Sequence, residues 1–353
     1  MANDTRRLLL AHCESYPELR AEDVFKLLYQ SAFGCEHLVT NEAAALEYIK
    51  KEYATLPAGG EMRVEKLDGG YSRVYLSSIG CGLSPETLAR LFCLSARKEA
   101  DGKAELERKL GIAGEMVRSG ELPISEEDYA KKLSRWREAG YPAIRHSQAF
   151  RDAYAPAYRV IADEFVRFLG LFAELDRRLA EKPTVLAIEG GSASGKTTLS
   201  AILKRVYACN VFHTDDFFLR PEQRTRERFA EIGGNLDRER FYEEIILPLT
   251  HGETVCYRRY DCSTQTLGDP IASPLTPLTV VEGVYSMHPE LAAAYDLAVF
   301  LEISEKEQRA RIEKRNPPPL AKRFFEEWIP LENRYFEGMR VRERCALTIN
   351  NGK

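Results

Sequence analysis

Residues 188–199 read IEGGSASGKTTL, and within them Gly190, Gly191, Ser192, Ala193, Ser194, Gly195, Lys196 and Thr197 match the spacing GxxxxGK[ST]. The glycines let the backbone curl so that successive N–H groups face phosphate oxygens. The helical pattern TTLSAILKRVY after the loop adds the positive end of a helix dipole. Lys196 supplies a mobile cation for the β- and γ-phosphates, and the Thr197 hydroxyl suits Mg²⁺. The context is the one the pattern needs, with the apolar run TVLAIEGG before it and a helix after it. The expected nucleotide contacts are residues 190–197 together with Thr198. This chemistry requires a nucleoside triphosphate, ATP in the first instance, with Mg²⁺. It does not by itself name an acceptor.

The acceptor has to be argued from residues C-terminal to the loop. FHTDDFFL (212–219) puts Asp215 and Asp216 directly after an apolar run, where strand ends open into a ligand crevice. A carboxylate there can take the proton of an attacking hydroxyl, while its neighbour caps the next turn; two ordinary caps are the alternative. Glu282 ends the run VVEGVY (280–285) and can hold Mg²⁺ directly or through water. EKEQRARIEKRN (305–316) carries Arg309, Arg311 and Arg315. Such a run alone is a solvated helix face; beside a phosphate loop it can be a lid whose arginines neutralise the migrating phosphoryl group.

Taken in order, GGSASGKTT, TDDFF, GGNLDRERF (233–241), YRRYD (257–261), VVEGVY and the arginine helix resemble the uridine kinase and phosphoribulokinase group of P-loop kinases. The resemblance covers residues 184–350. It implies that Asp215, the first Asp of the DxF[YF] motif, is the catalytic base. It also implies Thr197 and Glu282 as Mg²⁺ ligands, and Arg311 and Arg315 as lid arginines acting with Lys196. Asp237 would grip the acceptor's sugar hydroxyls and Tyr260 would wall its pocket, with Asp216 beside them. Three departures bear on the nucleobase rather than on phosphoryl transfer. Phe218 stands where many members have Tyr, and CSTQT succeeds Tyr260-Asp261 where a base-reading His is common. In NPPPLAKRFFEEWIPLENRYF (316–336) three prolines predict an extended stretch.

The elements that must position these residues read as an α/β unit. The runs at 184–191, 210–216, 278–283 and 296–303 are strand candidates with helical patterns between them, which predicts a doubly wound, mostly parallel sheet from residue 181 onward. Residues 1–180 read as a mainly helical α+β domain of unassigned role. Helices are expected over 21–33, 84–100 and 125–140, and a hairpin is expected around Asp68-Gly69-Gly70. A long helix, kinked near Pro156, is expected from Ser147 to Glu181.

Two clusters stand out in this first half. One presents Glu36 and His37; the other crowds His146, Arg151, Tyr154, Tyr158 and Arg159, with Arg73 on a nearby strand candidate. They could form a second site for an anionic or sugar ligand. The plainer reading is that His146-Ser147 caps a helix and that Tyr154 and Tyr158 share one packed helical stripe.

The 353 residues carry 44% hydrophobic and 29% charged residues and a net charge of −4, which suits a folded protein with two cores and lacks the basic field of a non-specific nucleic-acid binder. Eight scattered cysteines without a CxxC pair predict buried thiols in a reducing compartment. No apolar stretch reaches the ~18 residues of a membrane span, and the apolar run near residue 9 is soon broken by His12, Glu14 and Glu18, unlike a targeting peptide. The expectation is a cytoplasmic kinase acting on a nucleoside or sugar-like acceptor, with no nucleic-acid or membrane partner and room for a homo-oligomer. A pantothenate-like alcohol, or an ATP-driven switch with a helical interaction module, is the alternative.

Overall fold

Asp68-Gly69-Gly70 turns the chain back on itself. Gly69 and Gly70 both have positive φ, 87° and 84°, and a Cβ on Gly69 would lie 2.0 Å from the Ser31 carbonyl oxygen, so glycine alone fits that turn. The turn joins β1 (Val64–Lys66) to β2 (Tyr71–Tyr75), antiparallel with Val64 opposite Val74. This is the hairpin the sequence predicts. On its other side β2 pairs with β3 (Tyr158–Ala162), Tyr71 opposite Ala162. Every residue of the central strand is buried.

The structure, a computed structural model, describes residues 2–35, 41–96 and 102–352. It divides into two compact units, Met1–Asp176 and Arg177–Lys353. In the first, helices surround the three-stranded sheet. Ala21–Phe33 buries Val24, Leu27 and Leu28 along one face, each leucine contributing about 1.5–3 kcal/mol. Pro85–Ser95 is capped by Ser84, whose hydroxyl accepts from the Thr87 N–H, and Glu126–Glu138 is capped by Ser125. Glu36 and His37 lie outside the described residues.

One helix expectation is overturned. In place of a helix from Ser147 to Glu181 there is a short helix, Gln148–Tyr154, then β3, then helices Asp163–Val166 and Leu169–Leu179. Ala155 adopts a left-handed backbone at φ 38°, and Pro156 cannot donate to a helix. Tyr158-Arg159-Val160-Ile161 then satisfies a strand's preference for aromatic and β-branched residues. Tyr154 and Tyr158 therefore do not share a helical stripe.

In the second unit the four apolar runs form β4 (Thr184–Glu189), β5 (Cys209–His213), β8 (Leu278–Glu282) and β9 (Leu297–Glu302). With β10 (Leu347–Asn350) they make a parallel sheet in the order β10-β9-β4-β8-β5, flanked by helices. This is the doubly wound, parallel α/β arrangement that the sequence predicts. Between β5 and β8 a separate antiparallel hairpin pairs β6 (Val255–Asp261) with β7 (Thr266–Ser273). On β6 the inward Val255, Tyr257 and Tyr260 alternate with exposed residues, and Tyr257 packs with Phe212, Phe217 and Phe241 in the core.

The prolines at 317–319 do not extend the chain. Pro318 and Pro319 open the helix Pro318–Arg323, a position that tolerates proline because first-turn N–H groups have no intrahelical partner. The eight thiols are free, but only Cys35 is buried; Cys13, Cys93, Cys209 and Cys345 are half-buried, and Cys81, Cys256 and Cys262 are exposed. Among the described residues no helix is long and apolar enough to cross a membrane.

Candidate active site

Strand β4 delivers the chain to Gly190, where a Cβ would lie 2.5 Å from the Leu301 carbonyl oxygen. From there the loop curls through positive φ at Ala193 and Gly195 into the helix Lys196–Val206. Three successive carbonyls are held by side chains from elsewhere. Gln308 donates to Ser192 O at 2.9 Å, Arg311 to Ala193 O at 3.1 Å and Asn351 to Ser194 O at 2.6 Å. Because each peptide is planar and trans, the N–H groups of Ala193 and Gly195 are turned away from those side chains. Lys196 Nζ donates to Gly190 O at 2.7 Å and Gly191 O at 3.1 Å. Thr198 lies exposed on the first helical turn.

Next to this loop two oxygen donors meet. Thr197 Oγ1 donates to Glu282 Oε1 at 3.0 Å, and His213 Nδ1 lies 2.6 Å from the same oxygen. Parallel pairing of β5 with β8 sets His213 opposite Glu282. The bond to Glu282 raises the His213 pKa. A hydroxyl and a carboxylate at this spacing suit a hard cation that takes its other ligands from phosphate and water.

Asp215 stands two residues beyond β5, on a short 3₁₀ turn. Its side chain is exposed to solvent. Burial raises its pKa, Lys196 opposes the rise and Glu282 adds to it; solvent access offsets part of the effect. Asp216 pairs with Arg259 at 3.3 Å. Asp237 is fully buried and caps the helix Arg238–Phe241 by accepting from the Arg240 N–H. Its Oδ2 has no hydrogen-bond partner and lies 3.7 Å from Arg220 Nε. Tyr260, buried against the same hairpin, accepts from Arg224 at 3.0 Å. The arginine helix Glu305–Arg315 divides its charges. Arg311 reaches the loop and is also tied to Glu307 and the Asn351 carbonyl, whereas Arg315 lies over the Phe324 ring.

Sequence reasoning missed Gln308, Asn351, Glu189 and Glu332. Glu332, on the helix Ile329–Gly338, accepts from the Ser192 N–H at 2.8 Å and from the Ser192 hydroxyl. A carboxylate therefore sits on a loop N–H where a phosphate oxygen would be expected. Burial raises its pKa, against the pull of Ser192. Glu189, fully buried below the loop, accepts from the Gly190 and Met287 N–H groups and the Tyr335 hydroxyl; burial lifts it to about 7. No spacing in the sequence marks these four, since each acts through tertiary contact.

No family model matches the chain. Among solved structures, a protein described as a possible uridine kinase from Bacillus stearothermophilus is 20% identical, with 51% of this chain and 99% of that chain covered and a TM-score of 0.38. One described as a candidate fructose transport system kinase from Silicibacter sp. is 22% identical over 48% of this chain and 90% of that chain, with a TM-score of 0.39. Both likenesses span about half of this chain.

Proposed function

We propose that the Arg177–Lys353 unit is an ATP-dependent kinase that transfers the γ-phosphoryl group to a hydroxyl of a small molecule. A nucleoside is the first acceptor to test, and another sugar-like or pantothenate-like alcohol the second. The observation that carries this reading is the meeting of Thr197 and Glu282 at 3.0 Å beside the phosphate loop, with Asp215 at the adjoining strand end. The loop N–H groups and Lys196 bind and orient the triphosphate, Lys196 leaving the Gly190 and Gly191 carbonyls to do so. Thr197 Oγ1 and the Glu282 carboxylate fit Mg²⁺, which when bound spreads the negative charge of the phosphates. His213 fixes the orientation of Glu282. The acceptor oxygen bonds to the γ-phosphorus as the bond to the β,γ-bridging oxygen breaks, and the acceptor's proton goes to Asp215. ADP leaves. Asp237, whose Oδ2 accepts no hydrogen bond, and Tyr260 are assigned to the acceptor.

The test is ATP consumption by the full chain against nucleosides, sugars and pantothenate. Acceptor-dependent turnover is expected, falling about 10²–10⁴-fold in Asp215→Asn with little change in ATP affinity. Wild-type-like turnover in Lys196→Ala would refute the assignment of the loop. ATP consumption indifferent to every acceptor would replace the kinase with an ATP-driven switch.

A further inference from the structure

The Met1–Asp176 unit holds a cavity of about 350 Å³, built from its own residues, that the kinase reading leaves unused. That volume is at the small end of ligand pockets. Among the described residues the charged side chains on its wall are Lys26 and Arg159; His146, Tyr158 and Gln30 stand with them, and Phe92 contributes apolar surface. Among the described residues two carboxylates adjoin this wall, Asp23 through His146 and Glu52 through Arg159. Asp23 is fully buried and Glu52 pairs with Arg159 at 2.9 Å. Lys26 donates to the Ile144 carbonyl at 3.0 Å and forms no ion pair with a described carboxylate. Burial, reinforced by Arg73, lowers its pKa to about 8, as expected of an ammonium without a counter-anion.

A second, independent feature points into the same cavity. Asp23 Oδ1 lies 2.7 Å from His146 Nδ1, and His146 Nε2 lies 2.6 Å from the Tyr158 hydroxyl. Asp23 also accepts from the Ser147 N–H and hydroxyl and from the Arg20 N–H, and these bonds keep it ionised. An ionised Asp23 assigns the Nδ1 proton to the bond between them, so Nε2 accepts from Tyr158. The Tyr158 proton is then turned toward the histidine, and the oxygen offers a lone pair to whatever enters. Gln30 supports that oxygen from one side, and the fully buried Arg73 lies 4.7 Å over the Tyr158 ring while donating to Gln30 at 2.9 Å.

We propose that this cavity is a second ligand site, for a small organic anion that also carries a hydroxyl. Lys26 and Arg159 take its carboxylate or phosphate, Tyr158 accepts from its hydroxyl, and Phe92 covers its carbon skeleton. The reading is independent of the phosphate loop. Calorimetric titration of the full chain carrying Lys196→Ala tests it, with mandelate, phenylacetate, ribose 5-phosphate and uncharged benzyl alcohol as probes. One-to-one binding of mandelate or ribose 5-phosphate is expected, and none of benzyl alcohol; which anion binds separates the carboxylate from the phosphate source. Lys26→Met should weaken binding at least about tenfold. Ala44→Trp, a substitution at an exposed lining residue, should abolish it by filling the space. Tyr158→Phe should erase any preference for mandelate over phenylacetate, which lacks only the hydroxyl. Failure of every anion to bind, or binding that survives both Lys26→Met and Ala44→Trp, overturns the proposal.

Discussion

Arg73 is wholly buried on the central strand of the first unit, and replacing it with Met tests what such a charge is worth. Its Nη1 lies 3.3 Å from both oxygens of Glu65 and its Nε 2.9 Å from Gln30 Oε1. Removing the guanidinium keeps most of the volume but leaves Gln30 without its donor and Glu65 with only His12, Tyr16 and Tyr75. Breaking a buried pair in this way costs about 3–5 kcal/mol. The acid side gives a second measure. Burial pushes Glu65 up, but the His12 hydrogen bond and the Arg73 charge outweigh it and hold the carboxyl at about 2 against an ordinary 4.5. A depressed carboxyl stabilises the fold above the unfolded value, and that stability is lost as pH falls from about 4.5 toward 2; the amount is about 3 kcal/mol. The assay is urea unfolding followed by Trp136 fluorescence in a Trp328→Phe background, which leaves one tryptophan. Arg73→Met should lose about 3–5 kcal/mol at neutral pH and show a smaller further loss in acid. Adding Glu65→Gln should cost little more, because the orphaned charge is gone. A loss below about 1 kcal/mol, or full additivity of the two substitutions, would show that the pair is not coupled as drawn.

Glu332→Gln should raise Mg·ATP affinity by roughly fivefold, because a neutral amide competes less well than a carboxylate for the Ser192 N–H; a fall in affinity, read by titration of a fluorescent ATP analogue, would make Glu332 part of the nucleotide site. His146 is held neutral by burial, its pKa lowered to about 4 despite Asp23. The unfolded chain therefore binds the extra proton first, so stability is complete above about 6.5 and is lost toward pH 4, by about 3 kcal/mol. His146→Asn should flatten that part of the urea-midpoint profile, and an unchanged slope would assign it to another group.

What the chain makes legible is local. The phosphate loop is a contiguous pattern whose glycines, lysine and threonine each have one stereochemical reason to be there, and four strands announce themselves as apolar runs. Tyr158–Ala162 escapes such a reading because an aromatic and β-branched run suits either period, and only the left-handed Ala155 and pairing with β2 decide it. The prolines at 317–319 break a helix from inside but begin one from outside, and the difference depends on where the preceding turn ends. Arg73 looks like an ordinary strand residue in the sequence; its burial depends on Glu65 and Gln30, which meet it only in the fold. Gln308, Glu332 and Asn351 carry no signal until the sheet brings them to the loop.

The hold of Asn351 on the Ser194 carbonyl spans 157 residues of chain, and this has a consequence for biosynthesis. At about 5–20 residues per second, a ribosome takes roughly 8–30 s to pass from the loop to the side chain that closes its third carbonyl. Through that interval the Ser194 carbonyl lacks its partner, and the Ser192 and Ala193 carbonyls lack theirs until the helix carrying Gln308 and Arg311 has emerged. Until then the sheet has β4, β5, β8 and β9 and their apolar packing to hold it.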